Sequence, residues 1–146
     1  MRVERAVLIH CPVDEVFALA ADPDNDTRWG SLVIASRRLT GRPITVGSLF
    51  EQTASFMGTQ ITTMLEVTAY ERNRAMCYRT NNPVRLEHCR HFDPTPEGTR
   101  LQFTVEADVE GRFKLAGSLL SRVGERQVDG DLASLKALLE SSQTRS

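Results

Sequence analysis

Five consecutive positions, Glu87, His88, Cys89, Arg90 and His91, carry ionisable or thiol side chains. In an extended strand alternate side chains face opposite ways, so His88 and Arg90 share one face and Glu87, Cys89 and His91 the other. Leu86 and Phe92 have the parity of His88 and Arg90, which assigns that face to the interior. An imidazole with a pKa near neutrality can move a proton in enolisation or dehydration. A buried arginine needs an acceptor, which a carboxylate or ketone oxygen of a ligand could supply; an arginine snorkelling at the rim is the simpler alternative. Tyr78 and Tyr70 could orient a carbonyl, or act only as strand packing residues. The sequence marks no carboxylate partner for His88. His88, Cys89 and His91 invite a metal reading, but histidines three apart on a strand face opposite sides, so no metal is expected. Ser-His-Asp order, phosphate loop and dinucleotide fingerprint are absent, and no cofactor is expected.

The elements that position these groups follow from periodicity. Val3, Val7 and Ile9 mark an opening strand, ended by Cys11-Pro12. Val13, Val16, Phe17 and Ala20 form one stripe of a short helix, with Pro12 as its first residue and Asp14 and Glu15 in its first turn. Asp22-Pro23 ends that helix, and Asp24, Asn25 and Asp26 favour a turn or a second helical turn leading to Trp29. Strands are expected over Leu32–Leu39, Gly47–Phe56, Gln60–Tyr70, Met76–Thr80 and Val84–Phe92, with a turn at Asp93–Gly98. The last strand is the clearest, because Leu101, Phe103, Val105, Ala107 and Val109 alternate with Gln102, Thr104, Glu106 and Asp108. A single long helix from about Phe113 to Glu140 closes the chain. Leu120, Gly124, Val128, Leu132, Leu135 and Leu139 lie on one stripe of it. Its three glycines, Gly117, Gly124 and Gly130, each cost ~0.8–1 kcal/mol relative to alanine and imply close packing or a bend. Such a helix over one apolar sheet face can leave a hollow, so the chain reads as a container.

The chain has 146 residues, 40% apolar and 25% charged, the proportions of one globular domain. A net charge of −1 without blocks of like charge advertises neither nucleic acid nor an anionic membrane. Three cysteines, Cys11, Cys77 and Cys89, without a CxxC pair, suit a reduced cytoplasmic protein in which they act as small buried hydrophobes. Arg2, Glu4 and Arg5 interrupt any signal-like run, and no stretch reaches the length of a membrane span.

The order strand, helix, six strands, long helix resembles the helix-grip fold of the START/Bet v 1-like (SRPBCC) superfamily. Ile9-His10-Cys11-Pro12-Val13-Asp14-Glu15-Val16-Phe17 is similar to its opening motif, and Asp22-Pro23 followed by Trp29 to its Asp-Pro…Trp segment. Val46-Gly47-Ser48, Glu97-Gly98-Thr99-Arg100-Leu101 and Leu132–Glu140 resemble its later signatures. The subgroup it most resembles is that of bacterial polyketide cyclase/dehydrase and lipid-transport-like proteins. The glycine-rich loop of plant Bet v 1 relatives and the Rieske ligands are missing, so steroid or phytohormone binding is not carried over.

The resemblance implies an α+β helix-grip fold, with a curved antiparallel sheet of about seven strands around a long C-terminal helix and short helices after the first strand. One domain is expected over residues 1–141, with 142–146 a frayed tail. The first functional reading is a binder of a small hydrophobic, lipid- or polyketide-like ligand between sheet and helix. The second is a cyclase/dehydratase-like enzyme using His88, Arg90 and Tyr78, and the third a co-chaperone-like interaction module. Expected cavity walls are Trp29, Phe50, Met64, Tyr78, His88, Arg90, Phe103 and Val105, with Leu119 and Val123 from the helix. For Trp29, packing in the core or at the mouth is the alternative to lining the entrance. The expected partner is a small hydrophobic molecule, without nucleic acid or membrane insertion; a homodimer stays open.

Overall fold

The computed structural model describes residues 1–56, 58–82, 84–108 and 117–143, the side chains of 56, 117–121 and 143 excepted. Seven strands and two longer helices follow in the order the periodicity predicts: β1 (Arg2–Ile9), α1 (Val13–Ala20), a short 3-10 turn (Pro23–Arg28), β2 (Val33–Arg38), β3 (Leu49–Phe56), β4 (Thr59–Glu71), β5 (Ala75–Thr80), β6 (Leu86–Thr95), β7 (Gly98–Ala107) and α2 (Gly117–Gln143). The strands form one antiparallel sheet in the order β1-β7-β6-β5-β4-β3-β2, so β1 and β2 are its edges.

One face of this sheet is dry. Leu101 and Phe103 on β7, Arg90 and Phe92 on β6, Met76 and Tyr78 on β5, Leu65 and Val67 on β4 and Phe50 on β3 are all buried. Arg90 apart, they make one hydrophobic core with α1 and Trp29. The long helix α2 bridges the two sheet edges. On one side Arg5 of β1 donates two hydrogen bonds to Asp129 at 2.8 Å, and Lys136 donates to the Leu8 carbonyl. On the other, the Ser31 amide, just ahead of β2, donates to Asp131. Leu132, Leu135 and Leu139 of the predicted stripe are buried, so the C-terminal half of α2 packs solidly on the core. Gly124 has the close approach expected of it: a Cβ there would lie 3.2 Å from Val3 Cγ2. Nothing stands within 4 Å of a Cβ placed at Gly130.

Several boundaries depart from expectation. Pro12 is the N-cap of α1, with extended ψ 149°, rather than its first helical residue. The Asp93–Gly98 turn is shorter than predicted, because β6 runs on to Thr95 and pairs Pro94 with Thr99 and Thr95 with Gly98. Proline fits there because the hairpin end does not demand its missing N–H. The α2 helix runs to Gln143, into the segment expected as a tail, and its expected start at Phe113 falls outside the described residues. On β4, a register shift between Val67 and Ala69 reverses the parity of the strand. Leu65 and Val67 therefore face inward, and Met64, expected on the cavity wall, lies on the outer face with 53% of its surface exposed.

The cysteine expectation also changes. Cys11 is buried and free, its Sγ donating to the Leu139 carbonyl. Cys77 and Cys89 are joined as a disulfide between β5 and β6. They are register partners, a relation that emerges only once the two strands are paired.

Candidate functional site

The inner faces of β5 and β6 create the polar centre of an otherwise apolar core. Register opposes Tyr78 to His88 and Met76 to Arg90, so the phenol, imidazole and guanidinium are neighbours by construction. Arg90 is 2% exposed and does not snorkel. The partner it requires is a protein carboxylate: Arg90 Nη1 and Nη2 donate to Asp26 Oδ1 and Oδ2, both at 2.9 Å. Nη1 also donates to the Ala20 carbonyl at 2.9 Å. Such a two-pronged pair is the geometry in which a guanidinium best offsets its lost hydration. Burial works against the charge on Arg90, but the adjacent Asp26 carboxylate more than compensates and raises its pKa.

The 3-10 turn delivers that carboxylate. Asp22 caps it by accepting from the Asp24 amide, and Pro23 supplies the fixed φ of its first residue. At three residues per turn, Asp26 and Trp29 fall on the same side. The Asp26 side chain is 2% exposed and also accepts from Gln52 Nε2 at 2.9 Å, while Gln52 donates to the Pro23 carbonyl. Three aromatic rings surround the guanidinium: its central carbon lies 4.9 Å from the Trp29 ring, 5.2 Å from Phe103 and 5.7 Å from Tyr78. Each is close enough for cation–π attraction.

The network fixes a proton order. Arg90 Nε, which can only donate, lies 3.4 Å from His88 Nε2. Burial first, and then the Arg90 charge, hold the His88 pKa well below its usual value, so the ring is neutral. A neutral imidazole whose Nε2 accepts must carry its proton on Nδ1. Nδ1 therefore donates to the Tyr78 oxygen, 3.0 Å away. The hydroxyl proton of Tyr78 is left without an acceptor among the described residues. Burial pushes the Tyr78 pKa up to about 12, so this proton stays on the oxygen across the physiological range. Trp29 Nε1 is a second buried donor with no acceptor among the described residues.

From this centre the inner face continues to one end of the sheet. His88 is paired with Val105, and Leu86 with Ala107. These four keep partial exposure, unlike Phe103 and Leu101 further in. An open pocket of ≈ 610 Å³ wraps that end of the sheet, lined by Thr80, Leu86 and Ala107 of the inner face and by Arg2, Arg79, Glu87 and Glu106 of the outer one. A second, of ≈ 400 Å³, opens at the other end between Phe17, Arg38, Ile44 and Tyr70.

Of the residues expected at the site, Trp29, Tyr78, His88, Arg90 and Phe103 come together. Val105 lies beside His88, and Phe50 is buried on the same sheet face, under Arg38. Met64 is on the outer face, and Val123 is 46% exposed because it lies off the α2 stripe that meets the sheet. The side chain of Leu119 lies outside the described ones. Sequence reasoning missed Asp26 and Gln52. The only signal for Asp26 is its one-turn spacing from Trp29 within an aspartate-rich turn.

The fold recurs in solved structures. TTHA0849 from Thermus thermophilus superposes with a TM-score of 0.82 at 18% identity, over 97% of this chain and 99% of that one. The Zhui aromatase/cyclase from a Streptomyces species gives 0.77 at 17%, over 96% and 93%. Ara h 8.0201 gives 0.74 at 13%, over 97% and 98%. At such identities the likeness shows a shared Bet v 1-like helix-grip fold. No curated protein sequence matches the chain. A family model, described as polyketide cyclase / dehydrase and lipid transport, matches residues 1–140, nearly the whole length, and the chain belongs to that family.

Proposed function

We propose that this protein binds a small hydrophobic ligand, lipid- or polyketide-like, that carries a carbonyl or phenolic oxygen, and that Tyr78 donates its hydroxyl proton to that oxygen. The observation that carries this reading is the contact of Arg90 Nε, a donor only, with His88 Nε2, from which the proton order of the network follows. Arg90 donates to His88, His88 donates to Tyr78, and the Tyr78 proton has no acceptor among the described residues. An apolar wall with a few aimed polar groups is what small-molecule sites require. Leu86 and Ala107, half-buried beyond His88 and Val105, carry the inner face to the end of the sheet, where a ligand could enter. Arg90 is not the ligand anchor, since Asp26, Ala20 and His88 between them engage all three of its nitrogens.

The network also bears on the enzymatic reading, a cyclase/dehydratase. A general acid or base works best with a pKa near the operating pH. Tyr78 is held at about 12 and His88 well below its usual value, so neither is tuned to shuttle protons at neutrality. What the pair supports is polarisation of a carbonyl by a fixed hydrogen bond, which assists enolisation without a protein base. The outer face near β1 and β7 argues against an interaction module. Arg2, Glu4, Gln102 and Glu106 form a polar lattice there rather than an apolar patch.

The test is binding of an aromatic ketone such as 2-acetylnaphthalene, followed by calorimetry, against the hydrocarbon 2-ethylnaphthalene. Losing one hydrogen bond to a buried oxygen weakens affinity by ~1–2 kcal/mol, about tenfold. The wild type should prefer the ketone by about that factor and Tyr78→Phe should not. Equal preference in both proteins refutes the role of Tyr78.

A further inference from the structure

The outer face of the sheet carries a second cluster, unrelated to the buried network. Cys77 on β5 and Cys89 on β6 are directly opposed, with Cα atoms 4.1 Å apart. His91, two residues beyond Cys89, lies on the same face and is paired with Ala75, whose small side chain leaves room beside it. One ligating atom from each of Cys77, Cys89 and His91 lies within 4.8 Å of the other two. Cys77 is buried, Cys89 half-buried and His91 exposed, so the cluster is anchored on one side and open to solvent on the other.

We propose that, with the disulfide reduced, Cys77, Cys89 and His91 bind one zinc ion. Two thiolates and an imidazole are the donor set that zinc prefers over calcium or magnesium. Zinc–sulfur bonds of ~2.3 Å and zinc–nitrogen bonds of ~2.0 Å can be reached by side-chain rotation from groups this close. Gln102 and Thr104, the β7 register partners of His91 and Cys89, are poor zinc ligands, so water takes the fourth position. Histidines three apart cannot share an ion on this strand, but a cysteine and a histidine two apart can, with the third ligand coming from the neighbouring strand.

The chemistry balances in two steps. A dithiol reductant transfers two electrons and two protons to the disulfide, giving two protein thiols and an oxidised reductant. Zinc then displaces one proton from each thiol, binding two thiolates and a neutral His91 while releasing two protons. Disulfide and zinc are mutually exclusive occupants of the same pair of sulfurs.

The experiment uses the full chain, reduced with dithiothreitol, desalted without oxygen and titrated with zinc against a chromophoric chelator. Expected is one zinc per chain, with binding at least about 100-fold weaker in Cys77→Ser and Cys89→Ser and about tenfold weaker in His91→Ala. The oxidised chain should take up no zinc at this site, and His10→Ala, which alters a histidine outside the cluster, should bind as the wild type does. Cobalt in place of zinc should give a thiolate-to-metal charge-transfer band that both serine variants lack. Native-like circular dichroism of each variant separates lost binding from lost folding. The proposal is overturned if the reduced wild type binds zinc no better than the Cys77→Ser/Cys89→Ser double variant. It is equally overturned if His91→Ala binds as tightly as the wild type.

Discussion

Replacing Asp26 by asparagine keeps the shape of the buried turn and removes one charge. Oδ1 accepts from Arg90 Nη1, and Oδ2 accepts from Arg90 Nη2 and Gln52 Nε2. Whichever oxygen becomes the NH2 group must then face a donor, and the guanidinium is left with a full charge in a site 2% exposed. Breaking one side of a buried pair costs ~3–5 kcal/mol. For a chain of this size that lowers Tm by roughly 6–20 °C, measured by calorimetry and urea unfolding. The variant should remain folded at room temperature, because domain stabilities run to ~5–15 kcal/mol. The companion Asp26→Leu/Arg90→Met variant removes both charges and fills the space with apolar atoms. It should recover most of the loss, since well-packed replacements of a buried pair are close to neutral. A cost under about 1 kcal/mol for Asp26→Asn would refute the reasoning, as would a double variant no more stable than the single one.

Titration of the network gives signed expectations at both ends of the pH scale. His88 has a lowered folded pKa, so the unfolded chain binds its proton more readily. Its contribution is complete above the unfolded value near 6.5 and is lost below it, at up to ~1.4 kcal/mol per pH unit. His88→Gln, which can still accept from Arg90 and donate to Tyr78, should flatten that acid slope in urea unfolding followed from pH 7 to 4.5. Tyr78 has the opposite sign: its folded pKa is raised from 10.0 to about 12, so stability falls as pH climbs through that window, by ~2–3 kcal/mol in total, and Tyr78→Phe should lose the alkaline slope. At Gly98, where φ is +150°, an added Cβ would lie 2.1 Å from the Ile9 carbonyl oxygen. Gly98→Ala should therefore cost at least ~2–3 kcal/mol in urea unfolding, whereas a loss under about 0.5 kcal/mol would mean that the β1 end and the β6–β7 hairpin are not so closely apposed.

The fold was legible wherever burial imposes a period. The alternation of Leu101, Phe103 and Val105 on β7, and the stripe ending in Leu132, Leu135 and Leu139 on α2, left one arrangement that buries both. Parity placed His88 and Arg90 inside correctly because β6 is regular up to its hairpin. It failed at Met64 because a β4 bulge adds one residue and turns the remainder of the strand over. Asp26 was out of reach for a different reason. It stands 64 residues from Arg90 in sequence, on a turn whose aspartates all look like turn formers. The Cys77–Cys89 pair depended on the register between β5 and β6, which neither strand encodes alone.

The most direct test of the binding account is a nuclear magnetic resonance titration of the isotope-labelled protein with 2-acetylnaphthalene. The largest shifts should fall on Tyr78, His88, Leu86, Val105 and Ala107, with the His88 Nδ1–H resonance perturbed through Tyr78. Shifts centred instead on Phe17, Arg38 and Tyr70 at the opposite end, or on Met64 of the outer face, would contradict it.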